Sequence, residues 1–439
     1  MIEIIPMGGY SEVGRNSTMI KYGDECVILD LGLMLENYIG MQKKFLRKTI
    51  TYKDLIRFHA GPDITQIEKE LKQLQGVIIS HGHLDHVGAV PYYFKKLGVN
   101  IYGSPYTMSV LRKLTPEQKI KEIDEKIKAK EPNTEFKIGK KFKIEFIHTT
   151  HSIPQTVIIA VKTKEGTVVY ANDYKFDDES PYDKKPNYPA LKKLKNVKAL
   201  IIDSLYSKDK GKTPSEKHAN EMLKKLLTKE NTKNKNIITT TFSSHIHRIK
   251  TLLKIARKLK RQPVIIGRSL AKYLDAAEES KIFEKQDDIK MIKFGGELRK
   301  YFNKEKNTKN KFYIVTGHQG EEDAVLNKIT KQKLFPYEKG DLVVFSCKVI
   351  PVEQNIIDRE KLENELEKRG VKIYKDYHVS GHAYSEDHKK LIELVKPEHI
   401  IPTHGSIEML EEQKQHCIDM GVKPEQIHIL QNFERIQLQ

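Results

Sequence analysis

The segment Gly76–Val90, GVIISHGHLDHVGAV, places His81, His83, Asp85 and His86 within six residues. Two imidazoles two positions apart on a turning loop can point into one pocket. Asp85 and His86, one step further on, can serve a second pocket beside it. Imidazole and carboxylate without thiolate suit Zn²⁺ or Mn²⁺ and suit a hydrolytic site. The chain holds 17 His in 439 residues, so by composition a chance His-x-His-x-Asp-His match is on the order of one in a thousand. The plainer alternative is a polar loop whose histidines only bond backbone. Four such side chains cannot complete two metal shells, so further ligands must come from elsewhere in the chain, each delivered by a strand end.

The elements that position these groups are legible as short apolar runs that end in chemistry. Val77–Ser80 is β-branched, follows Gly76 and reads as a buried strand, with the histidines on the loop beyond it. Earlier strands cover Ile2–Ile5, Ser17–Lys21 and Cys26–Leu29. The glycine-rich MGGYSEVGRNS lies between the first two. The third strand ends at Asp30, which is either a turn former or a partner for a ligand histidine. Residues 36–63 form a weakly patterned excursion, expected to be an insertion near the site mouth. Gln66–Leu74, Val87–Leu97 and Glu117–Lys130 read as helices. Lys141–Phe146 runs into His151, Val168–Ala171 ends at Asp173, and Ala199–Ile202 ends at Asp203. Asp173 is short enough to bridge two cations.

After Asp203 the character changes. Strands at Ile237–Phe242, Val264–Gly267, Phe312–Val315 and Leu342–Phe345 alternate with helices, which predicts a separate domain with a parallel sheet. The first closes on Ser243-Ser244-His245-Ile246-His247-Arg248 at the start of a helix over 248–261. Helix N-termini attract phosphate. The polar face of that helix carries Lys250, Lys254, Arg257, Lys258, Lys260 and Arg261, and such a face is most often simply solvated. The tail returns to site-like residues: His378, Ser380, Gly381 and His382 in YHVSGHA, then His404 at a strand end before Gly405. Small residues let backbone approach an anion closely.

The formal net charge is +18 with 31% charged residues, which favours a polyanionic partner, nucleic acid or an acidic membrane surface. A Lys-rich proteome gives the same balance. Cys26, Cys347 and Cys417 are far apart, without metal spacing, and fit reduced thiols. Met1 leads directly into IEIIPMGG, and no stretch reaches the roughly 18 apolar residues of a membrane span. The expectation is a cytoplasmic chain without signal peptide or membrane segment.

HGHLDH, followed in order by His151, Asp173 and His404, resembles the metallo-β-lactamase superfamily. The insertion between Asp203 and HVSGHA resembles its β-CASP nucleases. MGGYSEVGRNS, HSIP, ANDYKFD, TPSE, FSSHIHR, TGHQGE, HVSGHA and PTHG together resemble ribonuclease J in its short archaeal form, nearly end to end. The sequence departs from that pattern at His245, where bacterial members often carry Asn, and in IPVEQN, which replaces the more usual IPGNE.

The resemblance implies an α/β architecture: a metallo-β-lactamase αββα fold in two pieces, 1–205 and 377–439, with an inserted α/β β-CASP domain over 206–376. It implies two divalent ions, Zn²⁺ or alternatively Mn²⁺. His81, His83 and His151 would hold one, Asp85, His86 and His404 the other, and Asp173 would bridge. Asp203 would orient His404 or the attacking water. His382 would contact the scissile phosphate, or protonate the leaving oxygen. Ser243, Ser244, His247, His378, Ser380 and Gly381 would form a pocket for a 5′-terminal phosphate.

The implied activity is 5′ to 3′ exonucleolysis of single-stranded, 5′-monophosphorylated RNA in decay and maturation, with or without internal cutting. The alternatives are a β-CASP endoribonuclease of the RNA 3′-processing type and a non-catalytic RNA-binding scaffold. A homodimer and partners in an RNA-decay complex are left open.

Overall fold

The computed structural model describes residues 1–45, 49–230, 232–293, 295–305, 307–350 and 353–438. Of IPVEQN, Pro351 and Val352 lie outside the described residues. The chain divides into two compact units: one of Met1–Asp178, Asp183–Thr213 and Gly381–Gln439, the other of Pro214–Ser380 with Glu179–Tyr182. The divisions at Thr213/Pro214 and Ser380/Gly381 fall a few residues beyond those expected from the change in sequence character.

The first unit is built on two sheets. One runs, in spatial order, Ile436–Leu438, Ile2–Gly8, Ser17–Tyr22, Glu25–Leu29, Leu74–Ile78, Asn100–Gly103 and Ile127–Ala129. The other runs His399–Thr403, Val197–Asp203, Thr167–Ala171, Val157–Lys162, Phe142–His148 and Glu135–Ile138. Ile4, Val27 and Leu29 of the first sheet share a buried cluster with Ile144, Ile159 and Ile201 of the second, so the sheets pack face to face. The outer face of the first packs on the helices Val90–Leu97 and Pro105–Leu114, through Tyr93, Phe94 and Leu111. That of the second packs on Tyr188–Lys193 and Ser385–Val395, through Leu191 and Leu391. Alternate residues of each strand therefore feed two cores, the αββα pattern.

The second unit holds a sheet in the order Lys290–Ile292, Gln262–Ile266, Lys311–Val315, Ile237–Thr240, Leu342–Phe345, Lys372–Tyr374, every pair parallel. Its inner strands Ile237–Thr240 and Leu342–Phe345 are buried at every residue, as expected for strands covered on both faces.

Several expectations are corrected. Residues 36–45 and 49–63, within the weakly patterned excursion, carry regular structure. They form the helices Leu35–Lys44 and Tyr52–Arg57, and Met41, Leu55 and Ala60 sit in the main core. The helix expected over 117–130 is a 3₁₀ turn, a helix over Ile120–Lys126 and an edge strand at Ile127–Ala129. Pairing with the neighbouring strand overrides the helical propensity of that charged run. Asp85 and His86 lie not on the loop but in a helical turn, Leu84–Val87. Among the described residues no helix is long and apolar enough to cross a membrane.

Candidate metal centre

Strand ends of both sheets in the first unit deliver the ligand candidates. His81 and His83 follow Leu74–Ile78, Asp173 follows Thr167–Ala171, His151 follows Phe142–His148 and His404 follows His399–Thr403. Strand Val197–Asp203 pairs in parallel with His399–Thr403, with Asp203 opposite Thr403. His404 thus arrives one residue beyond the partner of Asp203.

The donor atoms group in two sets. In the first, His83 Nδ1 is 3.1 Å from both His81 Nε2 and His151 Nε2. Asp173 Oδ2 is 3.5 Å from His81 Nε2 and 3.4 Å from His151 Nε2. In the second set, His86 Nε2 is 3.5 Å from Asp85 Oδ2 and 3.2 Å from Asp173 Oδ1. His404 Nε2 is 3.8 Å from each of those oxygens. Ligands about 2.0–2.2 Å from a tetrahedral cation stand roughly 3.3–3.6 Å apart. The observed spacings, 3.1–3.8 Å, bracket that separation in both sets, and the two oxygens of Asp173 face different sets.

Proton placement supports the same conclusion. Ser80 Oγ donates to Asp30 Oδ2 at 2.8 Å, so it accepts from His81 Nδ1 at 2.9 Å. His151 Nδ1 donates to the Gly381 carbonyl at 2.6 Å. Both rings therefore turn Nε2 lone pairs inward, toward His83 Nδ1. Converging lone pairs repel unless a cation lies among them. Asp173 Oδ1 is buried with only the His86 and His404 rings facing it, a setting in which a carboxylate oxygen needs positive charge beside it. The donor set fits a divalent metal.

The electrostatics agree. Burial, then the neighbouring rings, push His81 and His151 well below the ordinary imidazole range and His83 down to about 4. They are neutral, the ligating form. Burial also opposes charge on His86, but Asp173, Asp85 and Asp30 outweigh it and hold a proton there. The same carboxylates would hold a dication in the proton's place.

Asp30, together with groups the sequence did not single out, holds these ligands. Asp30, fully buried at φ 57°, accepts from Ser80 N–H at 2.7 Å, from His86 Nδ1 at 2.7 Å and from Tyr170 OH at 3.0 Å. It is both the turn former and the partner of a ligand histidine. Asn16 Nδ2 reaches the Asp85 carbonyl at 3.2 Å and Oδ2 at 3.3 Å. Gly9 accepts from the His404 N–H at 2.6 Å. A Cβ on Gly9, at φ +88°, would stand 2.4 Å from Asn16 Oδ1, and one on Gly32 would stand 1.6 Å from the Asp85 carbonyl oxygen. The run of glycines after the first strand is the only sequence signal for this tight cradle.

His382 Nε2 faces Asp173 Oδ2 at 3.7 Å. Its Nδ1 is 2.8 Å from Asp203 Oδ2, while Asp203 Oδ1 accepts from the Leu205 N–H at 2.9 Å. Asp203 therefore orients His382, a partner other than the His404 or water that the resemblance implied. Asp203 and Asp173 outweigh burial and raise His382 to about 9.

The expected phosphate residues fall differently. Ser243 and Ser244 form the turn before the helix Ile246–Lys258, and His247 lies in its first turn. The His378 ring is 6.0 Å from Phe242 and 6.4 Å from His245, so its segment meets that turn. Ser380 is buried. Arg248, fully buried, locks the arrangement: it donates to Glu216 at 2.7 and 2.8 Å, to Ser346 Oγ at 2.5 Å and to the Tyr377 carbonyl at 3.0 Å. His245 turns toward Glu216, Nε2 to Oε2 at 3.4 Å, and belongs to this buried cluster. Gly381 belongs to the first unit, where its carbonyl fixes His151.

Comparison with known proteins agrees with this geometry. Residues 10–228 match the metallo-beta-lactamase superfamily, 234–363 the ribonuclease J beta-CASP domain, and 369–430 the Zn-dependent metallo-hydrolase RNA specificity domain. A crystal structure of a protein of unknown function from Enterococcus faecalis covers all of both chains with a TM-score of 0.67 at 17% identity, a likeness of fold. Ribonuclease J of Pyrococcus abyssi is 39% identical over 93% of this chain and 91% of its own length. Ribonuclease J of Methanocaldococcus jannaschii is 37% identical over 99% of both. With relatives this similar along almost their whole length, and with the donor atoms in place, the chain belongs to the ribonuclease J family of the metallo-β-lactamase superfamily.

Proposed function

We propose that this chain is a metal-dependent ribonuclease that holds two divalent ions and trims 5′-monophosphorylated RNA from its 5′ end. The observation that carries the two-ion reading is the division of Asp173: Oδ2 faces His81 and His151, and Oδ1 faces His86 and His404. The set of nitrogen and oxygen donors without sulfur suits Zn²⁺ and also Mn²⁺. Bound there, two ions lower the pKa of water and neutralise charge on a phosphoryl group.

The chain's own groups then have separate tasks. His81, His83, His151, Asp85, His86, His404 and Asp173 hold the ions. Asp30 and Asn16 fix His86 and Asp85 in place. His382, held by Asp203 and carrying a proton, presents Nε2 beside Asp173, where it stabilises a developing phosphoryl charge or protonates the leaving oxygen. Ser243, Ser244, His247, His378, Ser380 and the Gly381 backbone receive the 5′ phosphate. The two relatives above carry the name ribonuclease J, which supports RNA as the substrate, as does the net charge of +18.

The test is digestion of one RNA, labelled at either end, bearing a 5′ monophosphate, triphosphate or hydroxyl. Rapid release of mononucleotides from the 5′ end of the monophosphorylated form alone is expected. Release from the 3′ end first, or equal rates on 5′-hydroxyl RNA, would remove the polarity and the phosphate pocket. Internal cutting regardless of the 5′ group would favour the endonuclease reading.

A further inference from the structure

The helix Ile246–Lys258 carries more than a solvated basic face. His247, Lys250, Thr251 and Lys254 follow one another at helical spacing and form one stripe. Tyr182, which clusters with this second unit, lies along it. Its ring is 6.0 Å from that of His247 at an angle of 33°. Its hydroxyl is 3.4 Å from Thr251 Oγ1. The ammonium groups of Lys254 and Lys250 stand 4.6 and 5.6 Å from its centroid. Beside it opens a groove of about 650 Å³ whose walls include Lys254, Lys281 and Phe283.

The charges in this groove are not all cancelled. Arg257 is taken by Asp288 at 2.7 Å, and Glu278 and Glu284 also line the walls. Among the described residues Lys254 and Lys281 pair with no carboxylate, and both are exposed. The Lys254 ammonium held at an aromatic face, with Lys281 on the wall of the same groove, makes a site for a planar base with phosphates beside it. A peptide or lipid would gain little from that pairing. The stripe begins at His247, so an RNA strand passing beyond the proposed 5′-phosphate pocket would meet Tyr182 next.

We propose that this groove binds a single-stranded segment of RNA, one base against Tyr182 and the adjoining phosphates on Lys254 and Lys281. The choice of RNA over a free nucleotide rests on the ribonuclease reading above; the groove itself does not.

Binding of a fluorescent 12-nucleotide oligouridylate with a 5′ hydroxyl, followed by anisotropy in EDTA to prevent cleavage, tests it on the full chain. Lys254→Glu with Lys281→Glu should weaken binding by about tenfold and reduce the salt slope by roughly 0.7 per lost phosphate contact. Tyr182→Ala should weaken binding by about tenfold with the salt slope unchanged, through lost stacking. Tyr182→Phe should bind as the wild type does. Lys192→Glu with Lys193→Glu, the same charge change on an exposed helix of the first unit, serves as the control. The proposal is overturned if the groove variants stay within twofold of wild type, or if the control loses as much as they do. It is also overturned if AMP at millimolar concentration displaces the oligonucleotide from wild type but not from Tyr182→Ala, which would make the groove a free-nucleotide site. A wild type that binds as expected but cleaves no RNA once metal is restored removes the ribonuclease reading and leaves the groove intact.

Discussion

His382 is tied through Nδ1 to Oδ2 of Asp203 at 2.8 Å, which leaves Nε2 as the ring atom facing Asp173. Without that tie the ring can rotate and its proton is no longer held. Asp203→Ala should lower kcat on RNA by about 10²-fold, within the usual range for a positioned proton donor. Metal content, read by atomic emission, should stay at the wild-type ratio. Loss of metal in this variant would place Asp203 in the ligand set instead.

Asp85 keeps 22% of its side chain exposed, so its removal should spare the fold. Asp85→Ala should retain the wild-type circular dichroism spectrum, bind one ion per chain rather than two, and lose RNA cleavage. Full activity, or two ions still bound, would count against the division of ligands around Asp173.

Asp30 gathers its hydrogen bonds in a fully buried position. Asp30→Ala strands those donors and leaves His86 unheld. The expected cost is about 3–5 kcal/mol in urea unfolding, with metal affinity down by about 10–100-fold. Asp30→Asn keeps the shape and tolerates the positive φ of 57°, so it should fall between.

Acid should act on the second unit through Glu216. Burial works against its charge, but Arg248, with His245, outweighs that and holds the carboxyl well below the usual Glu range. A lowered folded pKa means that its stabilisation is complete above the unfolded value, about 4.3, and is lost as pH falls toward the folded value. Glu216→Gln should cost about 3 kcal/mol at pH 7. The gap from wild type should narrow below about pH 4. Urea midpoints at pH 7 and pH 3.5 measure both. A gap that widens in acid would contradict the sign.

The seven candidate ligands were legible because His81, Asp173 and His404 follow apolar runs closely and the other four lie a few residues further on, and the end of a buried strand is a place the sequence marks plainly. What a strand end does not mark is direction. The resemblance implied that Asp203 serves His404 or the attacking water, and the hydrogen bond goes to His382 on the incoming loop. Asn16, Ser80 and Tyr170 carried no signal of their own, since an amide, a hydroxyl and a phenol are common in strands and turns. The strands Lys290–Ile292, Lys372–Tyr374 and Ile436–Leu438 are three residues each, too short for alternation to register. The excursion over 36–63 lacked a clear period because its helices are short, although Met41 and Leu55 are core residues.

The parallel pairing of Val197–Asp203 with His399–Thr403 has a consequence for biosynthesis. From Asp203 to His399 the chain runs 399 − 203 = 196 residues. At about 5–20 residues per second of translation, the nascent first unit waits on the order of 10–40 s with that strand as an open edge. During that interval His404 has not left the ribosome, and His382 precedes it by only seconds. Until that strand is added, the donor set around Asp173 lacks His404.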